Sequence, residues 1–136
     1  MSRKPINVVI SFPERSIGHF NLSEEARNKI KKVSGRISLH DVADLVTAEK
    51  NEDRDTQKRL DAILQDAEVF YGFGHPKDLM SRAPKLKWIQ VPLAGVDPFL
   101  TPEMISSDVI VTKARIHERQ ISETIFTFIL MLARKN

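Results

Sequence analysis

The chain of 136 residues contains no cysteine. That removes disulfide frameworks, thiolate metal sites and thiol nucleophiles at a stroke, and it suits the cytoplasm. Long apolar runs are missing too. The longest, Ile125 to Ala133, is interrupted by Thr127 and falls far short of the ~20 residues that span a bilayer. The run Val8 to Ile10 behind Met1-Ser-Arg-Lys is too short for a signal peptide. Charge of one sign is scarce: 21 Lys and Arg face 18 Asp and Glu, a net charge of +3. The densest basic cluster (Lys29, Lys31, Lys32, Arg36) has no aromatic residues among it and complements a helix C-terminus, so neither nucleic acid nor membrane is an expected partner.

Several motifs are absent as well. No G-x-G-x-x-G occurs, because position 77, three after Gly74, is lysine. There is no Walker A motif and no G-x-S-x-G. The histidines, His19, His40, His75 and His117, lack metal-ligand spacing, so no metal site is expected. His117 beside Glu118 reads as a helix-start residue, and His75 as a turn or capping residue.

What is present is a strand-and-helix rhythm. With 41% hydrophobic and 29% charged residues, the composition fits a soluble domain with a real core. Ile6 to Phe12 reads as a strand buried on both faces. Ser23-Glu-Glu opens a helix with Leu22, Ala26, Ile30 and Val33 on one side, closed by Gly35 as a C-terminal cap. Arg36 to His40 is a weak second strand, and the ten residues from Asp41 are ambiguous. Asp53 to Ala67 is a clearer helix, followed by a third strand, Val69 to Phe73. His75-Pro76 starts a helical turn, with proline favoured at the first helical position, and Ala83-Pro84 ends it. Leu86 to Val91 is a short buried strand. Thr101-Pro-Glu103 opens another short helix, and Val109 to Thr112 is the fifth strand. The last helix runs from about His117 to Lys135. Its second half is apolar almost all round, so it expects a partner: a further domain or another copy of this chain.

This alternation predicts an α/β fold: a flavodoxin-like (Rossmann-like) parallel sheet of about five strands with helices on both faces, ending in a long apolar helix. In such a sheet the loops after the strands share one edge, where ligands bind. The candidate loops are Pro13 to Ile17, Gly72 to Pro76, Pro92 to Asp97 and Lys113 to His117. Gly72, Gly74, Ala94 and Gly95 are small, and adjacent free N–H groups there would form a nest for an anion such as a carboxylate. Gly95 is placed for close backbone approach or positive φ. The plainer alternative is that these glycines only make tight turns.

Specific blocks go further. Ala83-Pro-Lys-Leu-Lys-Trp-Ile-Gln, then Leu93-Ala-Gly-Val-Asp97, then Val109-Ile-Val-Thr112, then Ile116-His-Glu-Arg-Gln-Ile-Ser-Glu123 and the apolar helix ending Leu132-Ala-Arg134, resemble in order and spacing the N-terminal part of the D-2-hydroxyacid dehydrogenases. Between Thr112 and His117 the chain is about one residue short of that pattern. Before Val69 only the strand–helix rhythm agrees.

The resemblance implies a substrate-domain portion at 1–116, an interdomain helix at 117–136, and an NAD-binding domain absent from this chain. It implies an oxidoreductase that moves hydride between NAD or NADP and a 2-keto or 2-hydroxy acid. Gly72, Phe73, Gly74, Leu93, Ala94 and Gly95 match the loops that hold the substrate carboxylate. Ala94 and Thr124 match positions near the cofactor. The catalytic His, acid and Arg of the family fall beyond Asn136, so none is assigned and the chain alone is expected to be inactive. A homo-oligomer through the helix Ile121–Lys135 is also expected. The rival expectation is a standalone module that binds a small anion or dimerises, without catalysis.

Overall fold

The structure is a computed structural model and describes residues 4–12, 22–49, 54–115 and 117–135. The loop expected at Pro13 to Ile17, His19, and the start of the helix expected from Asp53 lie outside the described residues.

Five strands, β1 (Ile6–Ser11), β2 (Ile37–Asp41), β3 (Val69–Gly72), β4 (Trp88–Val91) and β5 (Ile110–Lys113), form one sheet in the order β2-β1-β3-β4-β5. Every pairing is parallel. Among the described residues six α-helices join or follow them, α1 (Glu24–Val33), α2 (Ala43–Glu49), α3 (Arg54–Leu64), α4 (Leu79–Arg82), α5 (Pro102–Ile105) and α6 (Glu118–Ala133), with a short 3-10 turn at Asp97–Phe99. Among the described residues, no helix is long and apolar enough to cross a membrane.

Strand alternation sorts the core into two faces. Val9, Phe70, Ile89 and Val91 point to the first, which is sealed by Val46 of α2, Leu60 and Leu64 of α3, Leu79 of α4 and Met104 of α5. Val8, Ile10 and Phe12 point to the second, with Val69, Tyr71, Phe73 and Leu22 around them. Phe12 meets Tyr71 and Phe73 edge-on, with ring centroids 5.0 and 5.4 Å away. Toward β4 and β5 this second face is open, and Ile110 is 63% exposed.

The structure corrects several local expectations. α1 buries none of its residues, and Val33 is 79% exposed, although Ser23 does accept a hydrogen bond from the Ala26 amide as a cap. Gly35 is not its C-terminal cap: the helix stops at Val33, Ser34 is extended, and Gly35 does not take positive φ. The ambiguous stretch from Asp41 is helical, starting where the Asp41 carboxylate accepts the Ala43 amide at 3.0 Å. Pro76 does not open a helix. It lies fully buried in the loop before α4, whose cap is Asp78 at φ 50°. β4 is less buried than expected, because Trp88 lies on the open second face, 41% exposed, with its indole N–H donating to the Thr112 hydroxyl at 2.7 Å. Thr101 caps α5 as its sequence indicates, accepting from the Met104 amide at 3.3 Å.

Candidate anion site at the strand ends

Because all five strands are parallel, the loops leaving β3 and β4 emerge from the same edge. The register Tyr71↔Gln90 makes them neighbours. The first loop begins at Gly72. Its φ is +155°, and a Cβ there would stand 2.1 Å from the Ser11 carbonyl oxygen, so the absent side chain is what lets the two backbones approach. The loop then runs to α4 with its far end tied down: the Lys77 amide donates to the Glu49 carboxylate at 3.3 Å.

Arg82 holds that anchor in place. Its guanidinium bonds Glu49, bonds Asp61 at 2.6 Å, and donates to the Lys77 carbonyl at 3.1 Å. The Glu49 side chain is 8% exposed. Burial works to lower the Arg82 pKa, but the hydrogen bonds to Asp61 and Glu49 outweigh it and leave the group held above its ordinary value. One cation therefore joins α2, α3, α4 and the loop after β3.

Of the six residues expected to hold a carboxylate, the structure separates two groups. Gly72 and Phe73 are occupied with the fold: Gly72 belongs to β3, the Phe73 amide donates to the Ser11 carbonyl at 3.3 Å, and the Phe73 ring packs on the second face. Leu93 is half-buried against the first-face core. Gly74, Ala94 and Gly95 have amides with no hydrogen-bond acceptor among the described residues, and Ala94 and Gly95 are exposed. Gly95 does not take positive φ, and a Cβ there would meet only the Asp97 carboxylate, at 3.8 Å. Its close-approach role is thus open space rather than a strained turn.

Thr124 bonds within its own helix. It lies on α6, all of whose residues are exposed, and its hydroxyl donates within the helix to the Gln120 carbonyl at 2.8 Å. His75 lies in the loop after β3 and caps no helix; its Nδ1 lies 2.9 Å from the Pro76 carbonyl and its ring lies 4.8 Å from that of Phe99. Behind it, a hollow of about 210 Å³ opens between the loop and α5, lined by His75, Asp78, Thr101 and Glu103 among others. The Glu103 carboxyl is held below its usual range, first by its own backbone N–H and then by the Thr101 hydroxyl. No group of three or more metal-ligating side chains occurs among the described residues.

One feature of the edge has no signal in the sequence. Ser11 ends β1 and is completely buried, yet its hydroxyl has no hydrogen-bond partner among the described residues. Such a group costs about 1–3 kcal/mol. The site's chemical capacity is therefore backbone N–H donation to a small anion, on an edge whose fit is set by Gly72 and its neighbour Ser11. No family model, no curated protein and no solved structure matches the chain.

Proposed function

We propose that the chain is the N-terminal substrate-domain portion of an NAD(P)-dependent D-2-hydroxyacid dehydrogenase, an oxidoreductase resident in the cytoplasm. On this reading 1–116 is a flavodoxin-like, doubly wound domain with helices on both faces, and α6 is an interdomain helix. The observation that carries the reading is the placement of the resembling blocks. Leu93 to Asp97 forms the loop at the C-terminal end of β4, next to the loop from β3, and both offer amides without an acceptor among the described residues. The strand order supports it, since reversal of connection at β1 and β3 is where doubly wound sheets bind ligands.

The chain's own part is to hold the acid. The amides of Gly74, Ala94 and Gly95 would receive the carboxylate of a 2-keto or 2-hydroxy acid, leaving its second carbon facing outward. NAD or NADP supplies or accepts the hydride in this chemistry. The described residues do not fit a dinucleotide: Gly72-Phe-Gly74 leads into a proline-containing loop rather than a long helix. No step through the cofactor is assigned to them.

The test is NADH and NADPH oxidation by the purified chain with glyoxylate, pyruvate or hydroxypyruvate. The reading expects no turnover, together with a reading frame that continues into a G-x-G-x-x-G turn. Turnover by this chain alone would refute it. The second reading is a standalone anion-binding or dimerising module, favoured by the apolar residues that α6 exposes, Phe126 at 67% and Leu132 at 69% among them. A stop codon after Asn136 in the source transcript would select it. Both readings expect a homo-oligomer through Ile121–Lys135. Light scattering at micromolar concentration should show self-association that Phe126→Glu with Leu130→Glu abolishes.

A further inference from the structure

We propose that Ser11 is a positioning residue of this anion site: its buried hydroxyl bonds the backbone of the Gly72–Pro76 loop when that loop holds a carboxylate. The inference rests on the carboxylate reading above. Three observations carry it.

The first is that a polar group occupies a place where an apolar one would serve. Ser11 shares its strand face with Val9, within the first-face core, and is fully buried without a partner among the described residues. Alanine would fit there and carry no unmet hydrogen bond. A buried polar atom of this kind calls for a state in which it is satisfied. The second is position. Ser11 is the register partner of Gly72, the first residue of the loop, and the two backbones touch because position 72 has no side chain. The third is that the loop starting at this point is tethered at its far end as well. It leaves β3 at Gly72, buries Pro76 completely, and reaches the Glu49 carboxylate of α2. α2 itself begins where the Val42 amide bonds the Ile10 carbonyl, one residue before Ser11. The loop is thus fixed at both ends, and Ser11 stands beside the first of them. The long Phe73–Ser11 hydrogen bond, at 3.3 Å, leaves it room to tighten.

Electrostatics favours the coupling. A carboxylate drawn to the Gly74 amide turns that peptide, and the adjacent carbonyl must turn with it. A buried hydroxyl on the neighbouring strand end can donate to a carbonyl turned toward it. Ser11 would then act through the loop without touching the acid.

The experiment is a pyruvate titration of the full chain, followed by the amide resonances of Gly74 and Gly95, for wild type and Ser11→Ala. The expected result is a dissociation constant about tenfold weaker in the variant, equivalent to ~1.4 kcal/mol, while the thermal midpoint of the ligand-free variant stays the same or rises. Equal affinity in the two proteins would overturn the role of Ser11 and leave the carboxylate reading standing. A wild-type chain whose Gly74 and Gly95 amides ignore pyruvate would overturn both. Ser11→Cys, nearly the same size with a weaker donor, is the second variant should the alanine protein fail to fold. It is expected to weaken pyruvate binding in the same sense, and unchanged binding would count against Ser11.

Discussion

Ser11 and Gly72 face each other across the parallel pair β1–β3, so closely that a Cβ at position 72 would lie 2.1 Å from the Ser11 carbonyl oxygen. The contact is backbone on backbone, and no rotamer change relieves it. Gly72→Ala must therefore shift a central strand as well as adopt φ near +155°. The expected cost is at least about 3 kcal/mol, by overpacking and backbone strain together. Urea unfolding of the variant measures it, and an unchanged midpoint would contradict the geometry.

Gly95 provides the opposite case. Nothing crowds its Cβ position, and its φ lies outside the region that favours glycine. Gly95→Ala should fold with a stability change within about 0.5 kcal/mol. A methyl beside the unpaired amide nonetheless narrows the approach to it. The variant should keep its melting temperature while weakening carboxylate binding, read by the same resonance titration.

Arg82 is the fold's most consequential ion-pair residue. Removing it leaves the buried Glu49 carboxylate with the Lys77 amide as its one partner among the described residues, and it removes the bond that Arg82 makes to the Lys77 carbonyl of the loop. Arg82→Met should destabilise the chain by about 3 kcal/mol, the usual cost of breaking a buried pair from one side. Glu49→Gln on the Arg82→Met background should recover part of that loss, because the stranded charge is gone. A double variant no more stable than the single would show that the charge is not the cause.

At the opposite edge of the sheet, two lysines hold two carboxyls below their ordinary range. Lys85 does so for Asp66 and Lys87 for Glu68, in each case chiefly by hydrogen bond. A carboxyl that binds its proton less readily when folded stabilises the fold above its unfolded pKa. That contribution is lost as pH falls through the lowered value. Thermal midpoints should therefore be flat from pH 7 to about pH 5 and fall below about pH 4. Both pairs lie at the surface, so added salt should shrink the difference between wild type and an Asp66→Asn, Glu68→Gln variant.

Much of the sheet is legible in the residues. Val8-Val9-Ile10 announces a strand buried on both faces, and Thr101-Pro102-Glu103 announces a helix start, because each signal is local and nothing distant opposes it. α1 shows the limit. Leu22, Ala26, Ile30 and Val33 have helical spacing, but the helix lies against an edge strand with too little sheet to cover them, and periodicity cannot report the size of the surface it meets. Pro76 was expected at a helix start because proline favours that place. Its burial beneath the loop and the left-handed Asp78 moved the start to Leu79. The amides of Gly74, Ala94 and Gly95 have no acceptor among the described residues, and all three lie in loops rich in small residues. The Phe73 amide is spent on Ser11, a partner 62 positions earlier in the chain that no local pattern discloses. The Glu49–Arg82 pair spans 33 positions and is invisible for the same reason.

The strand order also governs how the chain comes to be made. β1 precedes both of its neighbours in the chain, yet it lies inside the sheet and needs both β2 and β3 beside it. One side can close once Ile37 to Asp41 has emerged, but the other waits for Val69 to Gly72. Until then Val8-Val9-Ile10 presents an unpaired edge to other nascent chains. With every pairing parallel, no hairpin offers a quick nucleus, so assembly runs through long crossovers and is slow for a chain of this size. Low temperature during expression and prompt α2–α3 formation, which would screen the first face of β1, are the conditions under which this chain should escape aggregation.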